Sequence, residues 1–310
     1  MSTGTDPLAP LAALAGVPES VAEVRKVVDR LYGHRVMRRR AAEVTSESAL
    51  RGARASAALA GADWPLEEVR RRSDFSAGAD ERIVGGALRI SAEAGQLLSV
   101  WRTSPLQVLA RLHLLAAGDA SPAAGRPRRE GEPVEELFPL ELAPVDGVAA
   151  PIDPLAPASP PAGGVVGSQV AAVLPPAPSA AEVAARLDQL AQLLATRTSG
   201  AQGGAPALVT AAVVHGELLA LRPFESHNGL VARAAQRIVL IAEGLDPKAI
   251  CPAEVGLVEL GTAAYRAALA AYLTGTPEGL ARWIAHCGLA LRLGVRESTA
   301  VCEAMQRGMA

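Results

Sequence analysis

Leu221–Arg233, "LRPFESHNGLVAR", packs a proline, a phenylalanine, a histidine, an Asn-Gly pair and two arginines into one short stretch. Long apolar runs of helical periodicity flank it on both sides. Pro223 ends the first, because the residue before a proline is steered away from helical geometry. Asn228 and Gly229 suit the start of the second. A helix start exposes unpaired N–H groups and the positive end of the helix dipole, so it favours anions. Asn can cap it, and Gly lets a ligand approach the backbone. Arg233 and Arg237 follow one turn apart on one face. From there Arg233 could reach a phosphate at the loop. The plain reading is a helix–loop–helix turn with both arginines facing solvent.

Outward from this loop the chain reads as helix. Half of the 310 residues are hydrophobic and only 3% are aromatic, so Ala, Leu and Val must build the core. Ala and Leu lead the helix propensity scale. From Glu19 to Ala60 apolar residues recur at helical spacing, with Val21, Val24, Val28 and Leu31 first. "WPLEEVRR" restarts a short helix at Pro65. Residues 82–117 read as two helices, the second opened by Ser104 and Pro105 and ended by Gly118. Proline density over 120–168 forbids helix and implies an extended insert, in which "VEELFPLELAP" reads as a short strand pair. Ser179 caps the next helix, with Val183, Leu187, Leu190 and Leu194 on one face. Helices follow over 206–221 and from Asn228 to Glu243, with Gly244 at the C-terminal end. Two further stretches run to the C-terminus. The expected fold is all-α.

Charge excludes some functions. The net charge is -2, which gives no electrostatic footprint for nucleic acid. The basic run Arg35, Arg38, Arg39 and Arg40 reads as the solvated face of a helix. Cys251, Cys287 and Cys302 have neither disulfide nor zinc spacing. Without a signal peptide or an apolar run of membrane-spanning length, the expectation is a cytoplasmic protein.

The order of residues in the opening stretch resembles the signature of the Fic (Fido) family, H-P-F-x-[DE]-G-N-G-R-x-x-R. Pro223, Phe224, Asn228, Gly229 and Arg233 match. Arg222 stands at the histidine, Ser226 at the acidic residue, His227 at the first glycine and Leu230 at the first arginine. The flanks are similar as well. "PALVTAAVVHGELLALRPF" looks like the helix leading into the loop, "RLHLLAAG" and "VLPPAPSAAEVAARLDQLAQLL" like the segments around the flap, and "YRAALAAYLTGTPEGLARWIAHCGLAL" like the tail. Upstream, "ASAALAGADWPLEEV" resembles an inhibitory [ST]-x-x-x-E-[GN] helix, with Ser56 and Gly61 in place and Ala60 at the glutamate.

The resemblance implies a Fic-like helical bundle over 101–310, an N-terminal helical region over 1–100 that carries the degenerate inhibitory helix, and a Pro-rich insert (120–168) at the flap. It also implies AMP transfer from ATP to protein hydroxyls, with ATP or another nucleotide as cofactor. Arg222 cannot be the general base, since a guanidinium does not deprotonate in proteins. Ser226 is a weak ligand for Mg2+, and Leu230 offers no phosphate clamp. The expectation is therefore a pseudoenzyme or regulatory binding protein. Its residual phosphate or nucleotide site would comprise Asn228, Gly229 and Arg233, and its protein partner would be met through the insert or the N-terminal helices. Two alternatives stand beside it. One is an active nucleotidyl- or phosphate-group transferase in which a one-residue loop shift makes Glu225 the metal ligand and His227 the base. The other is a helical partner-binding scaffold. His215 is expected to support the loop by a hydrogen bond, and His113 and His286 to be packing residues.

Overall fold

The computed structural model describes residues 6–118, 121–147, 172–197 and 204–308, and among these no residue is in a strand. The helical periodicity of 19–60 resolves into α1 (Val17–Tyr32) and α2 (Ala41–Leu59). Between them Gly33 caps α1 and a single 3-10 turn spans Arg35–Arg38. The basic run is thus a corner and not a helix face, and Arg40 is held by Glu43 and by the Met305 carbonyl. Then come α3 (Leu66–Arg71), α4 (Ala79–Glu93), the short α5 (Leu98–Trp101) and α6 (Pro105–Ala117). Residues 82–117 therefore hold more breaks than the two expected helices. Ser104 precedes α6 as expected but makes no side-chain cap.

Residues 121–147 run as turns and extended chain. The strand pair expected in "VEELFPLELAP" does not form: Pro139 and Pro144 lack the N–H a ladder needs, and the segment instead bonds outward to helices. The Leu142 carbonyl accepts from the Thr262 N–H and its N–H donates to the Thr262 hydroxyl, and the Val145 N–H donates to the Glu259 carbonyl. The rest of the insert, 148–168, lies outside the described residues. Beyond it, α7 (Ala180–Thr196) starts at Ser179, whose hydroxyl accepts from the Glu182 N–H. Val183, Leu187 and Leu190 are its buried face.

The centre of the molecule is the hairpin of α8 (Ala207–Leu221) and α9 (Asn228–Ala242). In α8 only Ala207 and Glu217 escape full burial, as a helix apolar all round requires. The stretch expected as one helix after Pro252 breaks at Gly261 (φ 80°) into α10 (Ala253–Leu260) and α11 (Thr262–Leu273). The long α12 (Pro277–Gln306) closes the bundle against α1, α10 and α11. α10 and α12 approach closely where Gly256 meets the Ala290 carbonyl, a spot with no room for a side chain. One apolar cluster runs from Leu8 to Met305, and the three cysteines are buried free thiols. No helix among the described residues is long and apolar enough to cross a membrane.

Candidate functional site

The loop between α8 and α9 is shaped by two left-handed residues, Arg222 (φ 43°) and His227 (φ 59°). Neither is glycine, so each costs backbone strain that surrounding bonds must offset. Those bonds are present. Asn228 accepts from the Phe224 N–H (2.9 Å) and donates to the Phe224 carbonyl (2.8 Å), closing the loop on itself. Arg128 donates from its backbone to the Pro223 carbonyl (2.8 Å) and from Nε to the Arg222 carbonyl (3.0 Å). His113 of α6 stacks on Phe224 at 4.1 Å between centroids. Its Nδ1 accepts from the Gly125 N–H (3.0 Å), and burial pushes its pKa down to about 4.

Asn228 is therefore not the expected cap of α9. It is the first helical residue and its side chain points back to Phe224. The cap is Glu135, from the Pro-rich segment, whose two carboxylate oxygens accept from the His227 and Asn228 N–H groups. Sequence reading missed this residue, because nothing local marks a glutamate that caps a helix some ninety positions away. Burial raises the Glu135 pKa, opposed by its bonds to the two N–H groups and by the Arg233 charge. Replacing Asn228 by alanine orphans the buried Phe224 N–H and carbonyl together. It should cost about 2–6 kcal/mol, read by urea melts, from roughly 1–3 kcal/mol for each unsatisfied group.

The α9 arginines are neither solvent-facing nor free for a phosphate. Arg233 is 2% exposed and donates to the Ser56 hydroxyl and carbonyl, both at 2.8 Å. Arg237 donates to the Ser48 hydroxyl at 2.9 Å and lies 3.6 Å from Glu254. Ser48, Gly52 and Ser56 recur at i, i+4 along α2 and so face α9 together. A Cβ on Gly52 would stand 2.7 Å from the Arg237 guanidinium. Gly229 makes room for the arginine itself: a Cβ there would lie 2.9 Å from the Arg233 guanidinium. Ser56 thus meets Arg233, while Ala60 lines a cleft beside Gly61 (φ 104°).

That cleft, about 430 Å³, opens in front of the α9 start. Leu59, Ala60, Ile83 and Leu137 give it apolar walls, and Arg82, Glu135 and His227 bring polar groups to it. Arg222 does not line it: its guanidinium donates to the Pro175 carbonyl at 2.8 Å. Ser226 and the His227 Nδ1 are hydrogen-bonded at 2.8 Å. Burial, then the Arg89 charge, lower the His227 pKa, so the ring is neutral at pH 7. Glu225 is bonded by the Ser121 hydroxyl. Leu230 is in the core, 2% exposed. Among the described residues no group of three His, Cys, Asp or Glu side chains could hold a metal ion.

His215 does not support the loop directly. Its Nε2 meets the Tyr265 hydroxyl at 2.6 Å inside a stack with Trp283, and His286 stacks on Tyr265 and Trp283. His215 is fully buried, as is nearly every residue of α8. Burial sets the His286 pKa to about 4, like that of His113. An unfolded histidine titrates near 6.5, so the unfolded chain binds these two protons first. The stability they contribute is fully present above pH about 6.5 and is lost as the pH falls toward about 4. Urea midpoints should fall across that window, and His286→Phe should flatten the fall.

Comparison with solved structures follows the same architecture. A Fic family protein from Desulfovibrio desulfuricans G20 superposes with a TM-score of 0.64 at 17% identity, over 91% of this chain and 74% of that one. Fic-1 from C. elegans gives 0.58 at 15% identity, over 93% and 73%. No family's sequence profile matches the chain, and no curated protein matches it by sequence. The similarity is one of fold, and the fold is that of Fic proteins.

Proposed function

We infer that this Fic-fold chain is a regulatory or partner-binding protein without standard AMP transfer, a pseudoenzyme whose residual phosphate site at Asn228, Gly229 and Arg233 is closed in the form described. The observation that carries this reading is the engagement of Arg222. It occupies the position of the motif base, is chemically unable to accept a proton near pH 7, and spends its guanidinium on Pro175 outside the cleft. The metal-ligand position, Ser226, offers a neutral hydroxyl bonded to His227. The clamp position, Leu230, is core.

The active-transferase reading needs Glu225 and His227 to converge on one ligand. Glu225 is bonded to Ser121 and His227 to Ser226, so a shift of the loop would have to break both bonds. On the preferred reading the chain acts in the cytoplasm on a protein partner, met through the Pro-rich insert or the N-terminal helices. Mass spectrometry of the intact protein and of added target proteins, after incubation with ATP and Mg2+, tests it. No adduct is expected, and a nucleotidyl adduct that vanishes in Glu225→Ala or His227→Ala would establish the transferase instead.

A further inference from the structure

Beside the cleft in front of α9, the helices α4 and α6 form a second and larger one, about 570 Å³. The two helices touch at Gly86, where a Cβ would stand 2.5 Å from the Ala116 carbonyl oxygen. On either side of that contact α4 carries Arg82 and Arg89, two helical turns and so about 10 Å apart on one face. Both line the cleft. Arg89 is held in place: its Nε donates to the Leu115 carbonyl (2.9 Å). Gly118 keeps the space beside it clear, since a Cβ there would lie 3.3 Å from the guanidinium. Arg82 donates from Nε to the Gly78 carbonyl (3.2 Å).

Neither arginine joins an ion pair among the described residues, whereas Arg72 and Arg111 nearby are paired with Glu81 and Glu93, both at 2.7 Å. No carboxylate lines the cleft among the described residues. Phe75, Leu114 and Leu115 give it apolar surface, and Leu114 is 41% exposed. A chain of net charge -2 thus keeps one face that is cationic and apolar together. Such a face is complementary to carboxylates that flank an apolar side chain. An extended peptide advances about 3.3 Å per residue, so carboxylates three positions apart match the arginine spacing. A nucleic-acid strand fits less well, because its affinity comes from many phosphate contacts and only two unpaired cations are on offer. Arg82 and Ala117 line both clefts, so a segment lying here ends beside the α9 start.

We propose that the α4–α6 cleft docks an acidic, extended segment of a partner protein, with two carboxylates three residues apart on Arg82 and Arg89 and an apolar side chain between them against Leu114 and Phe75. The proposal rests on the reading of the chain as a partner-binding protein and places that contact on α4 and α6.

The test is fluorescence anisotropy of a fluorescein-labelled peptide with the core Glu-Ala-Leu-Glu, titrated with the full chain at low salt, with thermal melts to verify folding of each variant. The peptide should bind, and binding should weaken as salt rises. A Gln-Ala-Leu-Gln core should bind about tenfold more weakly, and Arg82→Glu and Arg89→Glu should each cause a loss of about the same size. The double variant should instead bind a Lys-Ala-Leu-Lys core, and Leu114→Ser should weaken binding without a change of charge. A Glu peptide that does not bind, or binds no better than its Gln form, overturns the proposal. So does a folded double variant that binds the Glu peptide as the wild type does, or an oligothymidylate that displaces the peptide at matched charge. If a glutamate variant does not fold, Arg82→Gln with Arg89→Gln and Leu114→Ser decide by the same readout. AMP transfer is read by mass and not by anisotropy, so an adduct would leave the cleft's result standing, and a cleft that binds nothing would leave the absence of transfer standing.

Discussion

Arg237→Ala should destabilise the protein by about 3–5 kcal/mol, the range for removing one member of a buried ion pair. Arg237 and Glu254 are each 8% exposed in their side chains and lie 3.6 Å apart. The variant leaves the Glu254 carboxylate without its cation and the Ser48 hydroxyl without its donor. It also frees the Ala249 carbonyl, which Arg237 holds at 3.2 Å and which belongs to a residue at φ 52°. Gly52 leaves a gap shaped for the guanidinium, so deletion opens a void as well. Urea denaturation measures the loss. Arg237→Met with Glu254→Leu should recover most of it, because apolar replacement of a whole buried pair is commonly near neutral. A loss below about 1 kcal/mol in the single variant would mean that the pair does not hold α9 to α10.

The second large effect concerns catalysis. Restoring the motif histidine alone, Arg222→His, should leave AMP transfer undetectable. A general base contributes roughly 10²-fold or more, and an electrostatic donor a similar factor. Ser226 and Leu230 would still lack the carboxylate and the clamp, and Glu135 would still occupy the start of α9. The substitution also removes the bond to Pro175 and places a histidine at φ 43°. Incorporation of labelled AMP is the readout. Transfer by Arg222→His at a rate within about tenfold of an intact enzyme would mean that the losses at Ser226 and Leu230 do not matter.

Much of the fold was legible because it depends on local signals. The α8–loop–α9 boundary follows from Pro223 and the Asn-Gly pair, and Ser179 caps α7 as its position before an apolar helical pattern suggests. The unbroken apolar run "VVHGELLAL" reads as a helix buried all round, as α8 is. Long-range choices were not legible. Whether Arg233 faces water, phosphate or a neighbouring helix is decided by Ser56, far away in sequence, and only a fold brings the two together. Glu135 is one acidic residue among several in "REGEPVEELFPLEL", and only its distance to the α9 N–H groups singles it out. Asn228 was misjudged for a related reason: a side chain that can cap a helix can equally close the preceding turn, and Glu135 makes the first role redundant. The direction of His215 is likewise decided by a partner remote in sequence, Tyr265.

Calorimetric titration of ATP into the wild-type chain, with and without Mg2+, tests most directly the claim that the site has lost its metal–phosphate chemistry and is held closed. The account predicts no binding tighter than millimolar and no change when Mg2+ is added. Micromolar binding that depends on Mg2+ would contradict it: a carboxylate would then have to reach the metal, and Glu135 would have to leave the α9 start in the wild type.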